Sequence, residues 1–190
     1  MVRYLYKDLE DKTKIPDDCT KFICYEDNLT ELPVLPNSLI GLFCHINKLT
    51  ELPKLPDSLV NLYCHVNKLT ELPVLPDSLI ILGCNDNNLT SLPVLPDSLV
   101  DLYCGDNELS ELPELPDSFK FLVCEINNLT ELPEFPKSLL YLVCYNNNIK
   151  YLSPNNCEVI KKCFKIDVLN NPFSANFTDD KDFKEYLMNL

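Results

Sequence analysis

The sequence has little glycine, few basic residues for its acid content and no long apolar run. Of 190 residues only three are glycine, whereas fifteen are proline. Few glycines predict few turns with positive φ, and many prolines predict extended segments rather than helices. No apolar stretch reaches the roughly eighteen residues that a membrane span needs, and the amino terminus lacks the apolar core of a signal peptide. We therefore expect an intracellular, cytoplasmic protein.

The shortage of basic residues limits the kinds of partner. Sixteen Lys and Arg face 29 Asp and Glu, which gives a formal net charge of −13. Nucleic acid and anionic membrane both require a basic surface, so neither is expected as the main partner. The charge favours a basic protein partner instead. Hydrophobic residues make up 46% of the chain, enough for the core of one domain.

Ten cysteines would suggest disulfides in a small secreted protein, but their spacing favours another interpretation. Seven of them recur every twenty residues, at Cys24, Cys44, Cys64, Cys84, Cys104, Cys124 and Cys144. Such regularity is typical of a structural column, whereas the ligands of a metal or redox site converge from different directions. Without a secretion signal we expect these thiols to be reduced and buried, and we expect no metal and no cofactor.

The cysteines belong to a twenty-residue unit, L-x-x-L-x-C-x-x-N-x-L-T-x-L-P-x-L-P-x-S. Within it Leu42 and Cys44 alternate with Gly41, Phe43 and His45, which is the period of a strand with one face inward. Because the same strand returns after a fixed interval, the strands should stack in register and in parallel. Nearly all such parallel crossovers are right-handed.

The rest of the unit predicts the return path and the turns. Leu72-Pro73 and Leu75-Pro76 cannot continue a helix and suit a polyproline path, with both leucines inward. Asp77 and Ser78 suit the corner that leads into the next strand. An asparagine such as Asn67 recurs after each strand, where its amide can satisfy a buried N–H and a buried carbonyl together. The first unit has Asp27 there, which accepts but cannot donate.

These residues resemble the leucine-rich repeat family in its short LPxLP form, over residues 15 to 175 approximately. That form is familiar from bacterial type III effector proteins and occurs in large DNA viruses, whose setting would be the host-cell cytoplasm. The resemblance implies a solenoid: a right-handed coil with a parallel β-sheet on its concave face, an extended polyproline convex side and C-terminal capping helices. It says little about the ligand.

The two ends depart from the unit, so we divide one domain into four parts. Residues 1–18 form an N-terminal cap and degenerate repeat, with Val2, Tyr4 and Leu9 as its core. Residues 19–152 hold seven repeats. Residues 153–174 form a longer final repeat with a short helix that starts near Asn156 and presents Cys157, Ile160 and Phe164 on one side. Residues 175–190 form a capping helix with Phe183, Tyr186, Leu187 and Leu190 on one face, which could alternatively bind a partner or a second copy.

Outward-facing strand positions are the ones left free for function, and they hold many aromatic rings. We expect a partner to bind on the concave face at Tyr25, Phe43, His45, Tyr63, His65, Tyr103, Phe121, Tyr141 and Tyr145. Gly83 and Gly105 should leave a shallow dip between the two groups of rings. The alternative is that aromatics favour strands and only stack across neighbouring coils.

Other features of this face allow weaker interpretations. Asp86 and Asp106, with Asp101 and Glu125 near, could contact a basic partner or form a solvated patch. His45 and His65 are the only histidines, and neither a metal pair nor a general base is favoured. We expect no catalytic residue and no enzyme activity, and a monomer ahead of a dimer.

We expect a non-catalytic protein-interaction module. The alternatives are the substrate-recognition part of an effector or ubiquitin-ligase system that lacks its catalytic domain, and a structural spacer.

Overall fold

A single parallel sheet of nine strands runs through the computed structural model, which describes residues 2–189. The strands lie in chain order and are Arg3–Leu5 (β1), Lys21–Ile23 (β2), Gly41–Phe43 (β3), Asn61–Tyr63 (β4), Ile81–Gly83 (β5), Asp101–Tyr103 (β6), Phe121–Val123 (β7), Tyr141–Val143 (β8) and Lys165–Asp167 (β9). Neighbours pair in register, so that Leu42 lies beside Leu62. The chain is therefore a solenoid whose coils repeat every twenty residues, as predicted, with the outward face of the sheet as its concave face.

The repeated leucines and cysteines form the core. Leu42, Cys44 and Leu49 are fully buried, as are their counterparts in the next coils. In the LPxLP segments Leu72 and Leu75 are also buried, and these segments contain no helix between β3 and β8. The Ser78 hydroxyl lies 2.7 Å from both the Asp57 and the Leu59 carbonyl oxygens of the preceding coil. It closes the corner into the strand.

The asparagine column joins each coil to the one before it. The Asn67 amide nitrogen donates to the carbonyls of Cys44 and Cys64 at 3.1 and 3.0 Å, and its oxygen accepts from the Leu49 N–H at 3.0 Å. Asn171 makes the same three bonds in the last coil, to Cys144, Val168 and Ile149. Both predicted functions of this amide, donor and acceptor, are confirmed.

The expectation of few positive-φ residues is wrong. The residue two places after each repeat cysteine, and after Val168 in the last coil, has φ between 49° and 61°, although none of them is glycine. These residues, here called the rim column, are Glu26, Ile46, Val66, Asp86, Asp106, Ile126, Asn146 and Asn170. The backbone ladder and the following asparagine hold this conformation, since the N–H of Ile46 donates to His65 and that of Asn47 to Val66. Hydrogen bonds to the next coil thus stabilise a backbone conformation that usually requires glycine.

The amino end adds one strand that the repeat pattern does not show. Arg3–Leu5 pairs with Lys21–Ile23, and a short 3-10 helix, Tyr6–Asp8, follows it. Leu9 is buried and Tyr4 is partly buried, but Val2 is exposed, so its assignment to the core is wrong. Strand β1 is held to β2 by backbone hydrogen bonds, and these form without the leucine pattern of the repeat.

The carboxyl end carries two helices. Helix α1, Pro154–Ile160, begins two residues before the predicted start because Ser153 caps it and Pro154 occupies its first turn. Phe164 lies after the helix and is exposed, so it does not share a buried side with Cys157 and Ile160.

Helix α2, Asp180–Met188, has Asp179 as its N-cap. It buries Phe183 and Leu187 but leaves Tyr186 exposed, while the prediction for Leu190 lies outside the described residues.

Candidate protein-binding surface

The first row of side chains on the concave face runs across strands β2 to β5. The Lys21 ammonium lies 4.4 Å from the centre of the Phe43 ring, and that ring stacks on Tyr63 with centroids 5.2 Å apart and planes at 17°. Tyr63 in turn lies against Gly83, where an added Cβ would be 3.1 Å from its ring. The row is thus a stack in which each coil contributes one member.

A second row follows the cysteine ladder. Tyr25, His45 and His65 stack with centroid separations of 4.8 and 4.4 Å and nearly parallel planes. Burial lowers the pKa of both imidazoles, and for His45 the neighbouring His65 lowers it further. The His45 Nδ1 atom is buried without a hydrogen-bond partner among the described residues. Both rings are therefore favoured in the neutral form.

The third group lies at the other end of the sheet. Phe121 and Tyr141 lie 5.7 Å apart, and Phe164 packs against both at 6.2 and 5.7 Å. Phe164 was absent from the predicted site because the sequence pattern placed it on a helix. Its position directly before strand β9, matching Leu140 before β8, is the signal that could have found it.

The sequence-predicted residues are therefore brought together in two clusters, because Tyr63 of the first row contacts His65 of the second with ring centroids 6.4 Å apart. Two predicted residues lie apart from both clusters. Tyr103 and Tyr145 make no ring-to-ring contact among residues 2–189, whereas the other seven all do. Stacking across coils, the alternative interpretation of the rings, is present. It leaves Tyr25 exposed and the other eight residues half-buried, so each ring keeps a face or edge toward solvent.

The predicted dip at the two glycines is wrong. Gly83 is covered by the Tyr63 ring and Gly105 by the Glu125 side chain, and both glycines are buried. An added Cβ at Gly105 would lie 2.6 Å from the Glu125 carboxyl carbon. The absence of a Cβ at each glycine therefore lets a neighbouring side chain pack over the backbone, and no depression forms.

Among residues 2–189 no salt bridge reaches the acidic centre of the face, although the charge of Lys120 opposes the raised pKa of Asp101 in part. The Asp86 carboxylate accepts from Asn85 at 2.6 Å, while Oδ1 of Asp101 and Oε2 of Glu125 are buried without a hydrogen bond. Burial raises the pKa of Glu125, Asp101 and Asp106, and like charges add to the effect at Glu125 and Asp106. Within residues 2–189 the one ion pair joins Lys161 to Glu158 at helix α1.

Nothing in this arrangement resembles a metal or nucleophile site. Residues 2–189 contain no group of three or more His, Cys, Asp or Glu side chains placed to hold a metal ion. Burial raises the pKa of the Cys24 and Cys64 thiols to about 12 and that of Cys163 to about 11. These thiols are neutral at pH 7, and the thiolate is the form that attacks.

Comparison with solved structures finds the same solenoid in bacterial leucine-rich repeat proteins. YopM from Yersinia enterocolitica is 37% identical with a TM-score of 0.79, and the match covers 83% of this chain and 34% of that one. The structure of a Shigella effector LRR domain is also 37% identical, with a TM-score of 0.72, and covers 81% of this chain and 71% of that one. The chain belongs to the leucine-rich repeat family.

A third leucine-rich repeat protein shares one further feature. The functional domain of InlJ from Listeria monocytogenes, described as including a cysteine ladder, is 28% identical with a TM-score of 0.67; the match covers 82% of this chain and 40% of that one. This repeat chain thus spans well under half the length of YopM and InlJ. No family model matches it, and no curated protein does. Among residues 2–189 no helix has both the length and the apolar content of a membrane span.

Proposed function

We propose that this leucine-rich repeat chain is a non-catalytic interaction module that binds a protein partner on its concave face. Effector proteins belong to the same family, and domains with this fold commonly mediate protein interactions. The free thiols suit a reducing, cytoplasmic setting, which we include in the proposal.

One observation carries the proposal: stacked aromatic rows lie beside unpaired carboxylates on a single open sheet. Aromatic side chains held rigid by stacking contribute large contact areas at low entropic cost, which is why they dominate binding hot spots. Buried carboxylate oxygens without donors gain hydrogen bonds when a partner supplies them. Ring surface left in water and carboxylate oxygens without donors both raise the free energy of the unbound protein, and contact with a partner would offset that rise.

The proposal assigns no catalysis to this chain. The ladder thiols are neutral and face the core, and Cys157, though half-buried, also has its pKa raised by burial. The effector or ubiquitin-ligase alternative, in which these repeats recognise a substrate for a catalytic domain elsewhere, uses the same concave face. A thioester formed between this chain and ubiquitin would instead show catalysis within it.

The direct test is affinity capture from the native cell with wild type and a Tyr63→Ala, His65→Ala double variant. We expect the double variant to lose its main partners by tenfold or more, because it removes a member of each stacked row at their closest approach, 6.4 Å between ring centres. Quantitative mass spectrometry of the captured proteins gives the readout.

Tyr151→Ala is the matched control. It removes an exposed tyrosine that lies beside Glu131, outside the sheet, so its partner list should equal that of wild type. Identical lists for wild type and the double variant would refute concave-face binding and favour a structural spacer.

A further inference from the structure

The rim column contains three residues that its backbone conformation disfavours. Ile46, Val66 and Ile126 have φ of 56°, 54° and 51°, and β-branched side chains rarely adopt this left-handed region. Other coils place Asp86 and Asp106 at the same position, and short polar side chains tolerate it far better. The fold therefore does not require the aliphatic residues.

Burial does not explain these side chains either. Ile46, Val66 and Ile126 are 41%, 40% and 38% exposed, so each leaves a large part of its apolar surface in water. An aliphatic residue that is both strained and exposed lowers stability without strengthening the core. Strain of this kind concentrates at functional surfaces, where a partner offsets it.

The order of residues along the rim forms a pattern. Ile46 and Val66 follow Glu26, and each comes directly after a stacked histidine in the sequence. Asp86 and Asp106 occupy the next two coils, and Ile126 the coil after that.

The rim acids have no compensating cation among the described residues. Burial and, after it, the charge of Asp86 raise the pKa of Asp106, and Glu125, whose charge interacts with both aspartates, adds a third carboxylate. A Lys or Arg side chain is the group that this negative potential attracts most strongly. Charge complementarity thus selects a basic segment for the middle of the rim.

We propose that the rim from Ile46 to Ile126 binds an extended segment of the partner. This segment presents an apolar side chain, then a basic one, then a second apolar one. This inference rests on the proposed function and specifies its partner. Adjacent coils lie about 4.8 Å apart, so the apolar and acidic pairs are separated by about 10 Å, or about three residues of an extended chain. The part of the rim from Ile46 to Ile126 spans about 19 Å.

The test begins with a random twelve-residue peptide display library panned on the full chain. We expect enriched peptides to share an aliphatic or aromatic residue followed about three positions later by Lys or Arg. The best peptide, labelled with a fluorophore, is then titrated by anisotropy against two double variants: Ile46→Asn, Val66→Asn and Asp86→Asn, Asp106→Asn. Each should weaken binding tenfold or more, and the second should also abolish most of its salt dependence.

Val34→Asn, Val74→Asn is the matched control, because these valines are 86% exposed on the convex LPxLP segments. It should bind like wild type. Thermal unfolding separates function from structure: the Ile46→Asn, Val66→Asn variant should melt at the same temperature as wild type or a few degrees higher, since asparagine suits positive φ. A lower melting temperature would mean that the two aliphatic residues serve the fold.

The remaining outcomes are also decisive. No enrichment, or enriched peptides without a basic residue, overturns the inference. Peptides that lose affinity for the Tyr63→Ala, His65→Ala protein but bind both rim variants normally would overturn the rim proposal and leave the concave-face proposal standing. Peptides insensitive to every one of these variants would overturn both.

Discussion

Asparagine is the residue on which the register of neighbouring coils depends. Asn87 donates to Cys64 and Cys84 and accepts from Leu69, so one amide satisfies backbone groups of two coils. An aliphatic residue of similar size would leave the Leu69 N–H buried and unpaired, at a cost of about 1–3 kcal/mol. Each carbonyl would lose one of its two amide donors, since Asn67 also donates to Cys64 and Asn107 to Cys84. The leucines contribute most of the buried apolar surface, whereas the asparagines fix the register between neighbouring coils.

The stacked histidines should make stability depend on pH. Burial lowers the folded-state pKa of His45 and His65, although Glu26 and Asp86 oppose this in part. Between pH 7 and 5 the unfolded chain therefore binds more protons than the folded one, so the free energy of unfolding falls as the pH falls. We expect a loss on the order of 1 kcal/mol or less for the pair, because both rings retain solvent screening. Urea denaturation at several pH values measures it.

The comparison protein is the His45→Gln, His65→Gln variant, which keeps every carboxylate. Raised pKa values at Asp101 and Glu125 act in the opposite direction, since acids protonated more readily in the folded state add stability as the pH falls. Their contribution is common to both proteins and cancels in the difference. Parallel stability curves for the two proteins would show that the imidazoles do not titrate differently on folding.

At this scale the sequence predicts the interior well and the surface poorly. Leu62, Cys64 and Asn67 recur at fixed positions, so period alone identifies what each contributes. The covering of Gly105 by Glu125 cannot be read from the repeat, because it depends on the rotamer of a residue that varies from coil to coil. The same holds for the strained Ile46, whose backbone is held by bonds to the next coil.

Helix α2 is the element that covers the last coil. The Asp180 carboxylate accepts from the Val168 N–H at 2.9 Å, and Phe183 packs against Phe173 and Phe177 with centroids 5.6 and 5.1 Å apart. These contacts support a capping role for the helix, whereas the exposed Tyr186 leaves room for the alternative of partner binding.

Phe183→Ala should therefore loosen the end of the solenoid. Removing a buried phenylalanine costs about 3–5 kcal/mol, and the loss should fall mainly on the adjacent coil. Hydrogen exchange read at β9 should rise steeply, while exchange at β4 should change little. Glu185→Ala, on the exposed side of the same helix, should leave both unchanged. Equal protection of β9 in the two variants would show that the helix does not cap the sheet.

Elements with side-chain signatures were predictable, and those formed by backbone alone were not. The sequence predicts β2 to β9 because each carries an inward residue of the repeat. Strand β1 carries one such residue, Tyr4, so the degenerate pattern predicts a cap, and the strand itself is seen only through its pairing with Lys21–Ile23. The true start of α1 had a usable signal, the Ser153-Pro154 pair, since serine caps helices and proline suits the first turn.

For the whole molecule, the twenty-residue period makes coils interchangeable. Deleting residues 69–88 joins Lys68 to Leu89 and keeps every column aligned, so we expect a folded protein that unfolds cooperatively. Its denaturant m-value should fall by about a tenth, in proportion to the surface lost. Circular dichroism with urea denaturation measures both effects.

Deleting residues 69–78 is the control, because half a unit brings prolines into strand positions and should abolish cooperative unfolding. If the twenty-residue deletion also failed to fold, coils would not be equivalent, and contacts specific to residues 69–88 would have to hold the array together.

The buried thiol ladder has a consequence for how long the protein survives. While the coils are closed, Cys64 is neutral and unreactive, because burial raises its pKa to about 12. Once two coils separate, the thiols regain ordinary acidity and can cross-link with any other exposed sulfur. In an oxidising solution each opening is then a one-way event, so the protein's half-life depends on its unfolding rate rather than on its equilibrium stability. A reductant would make unfolding reversible again, and it would change no contact of the folded state.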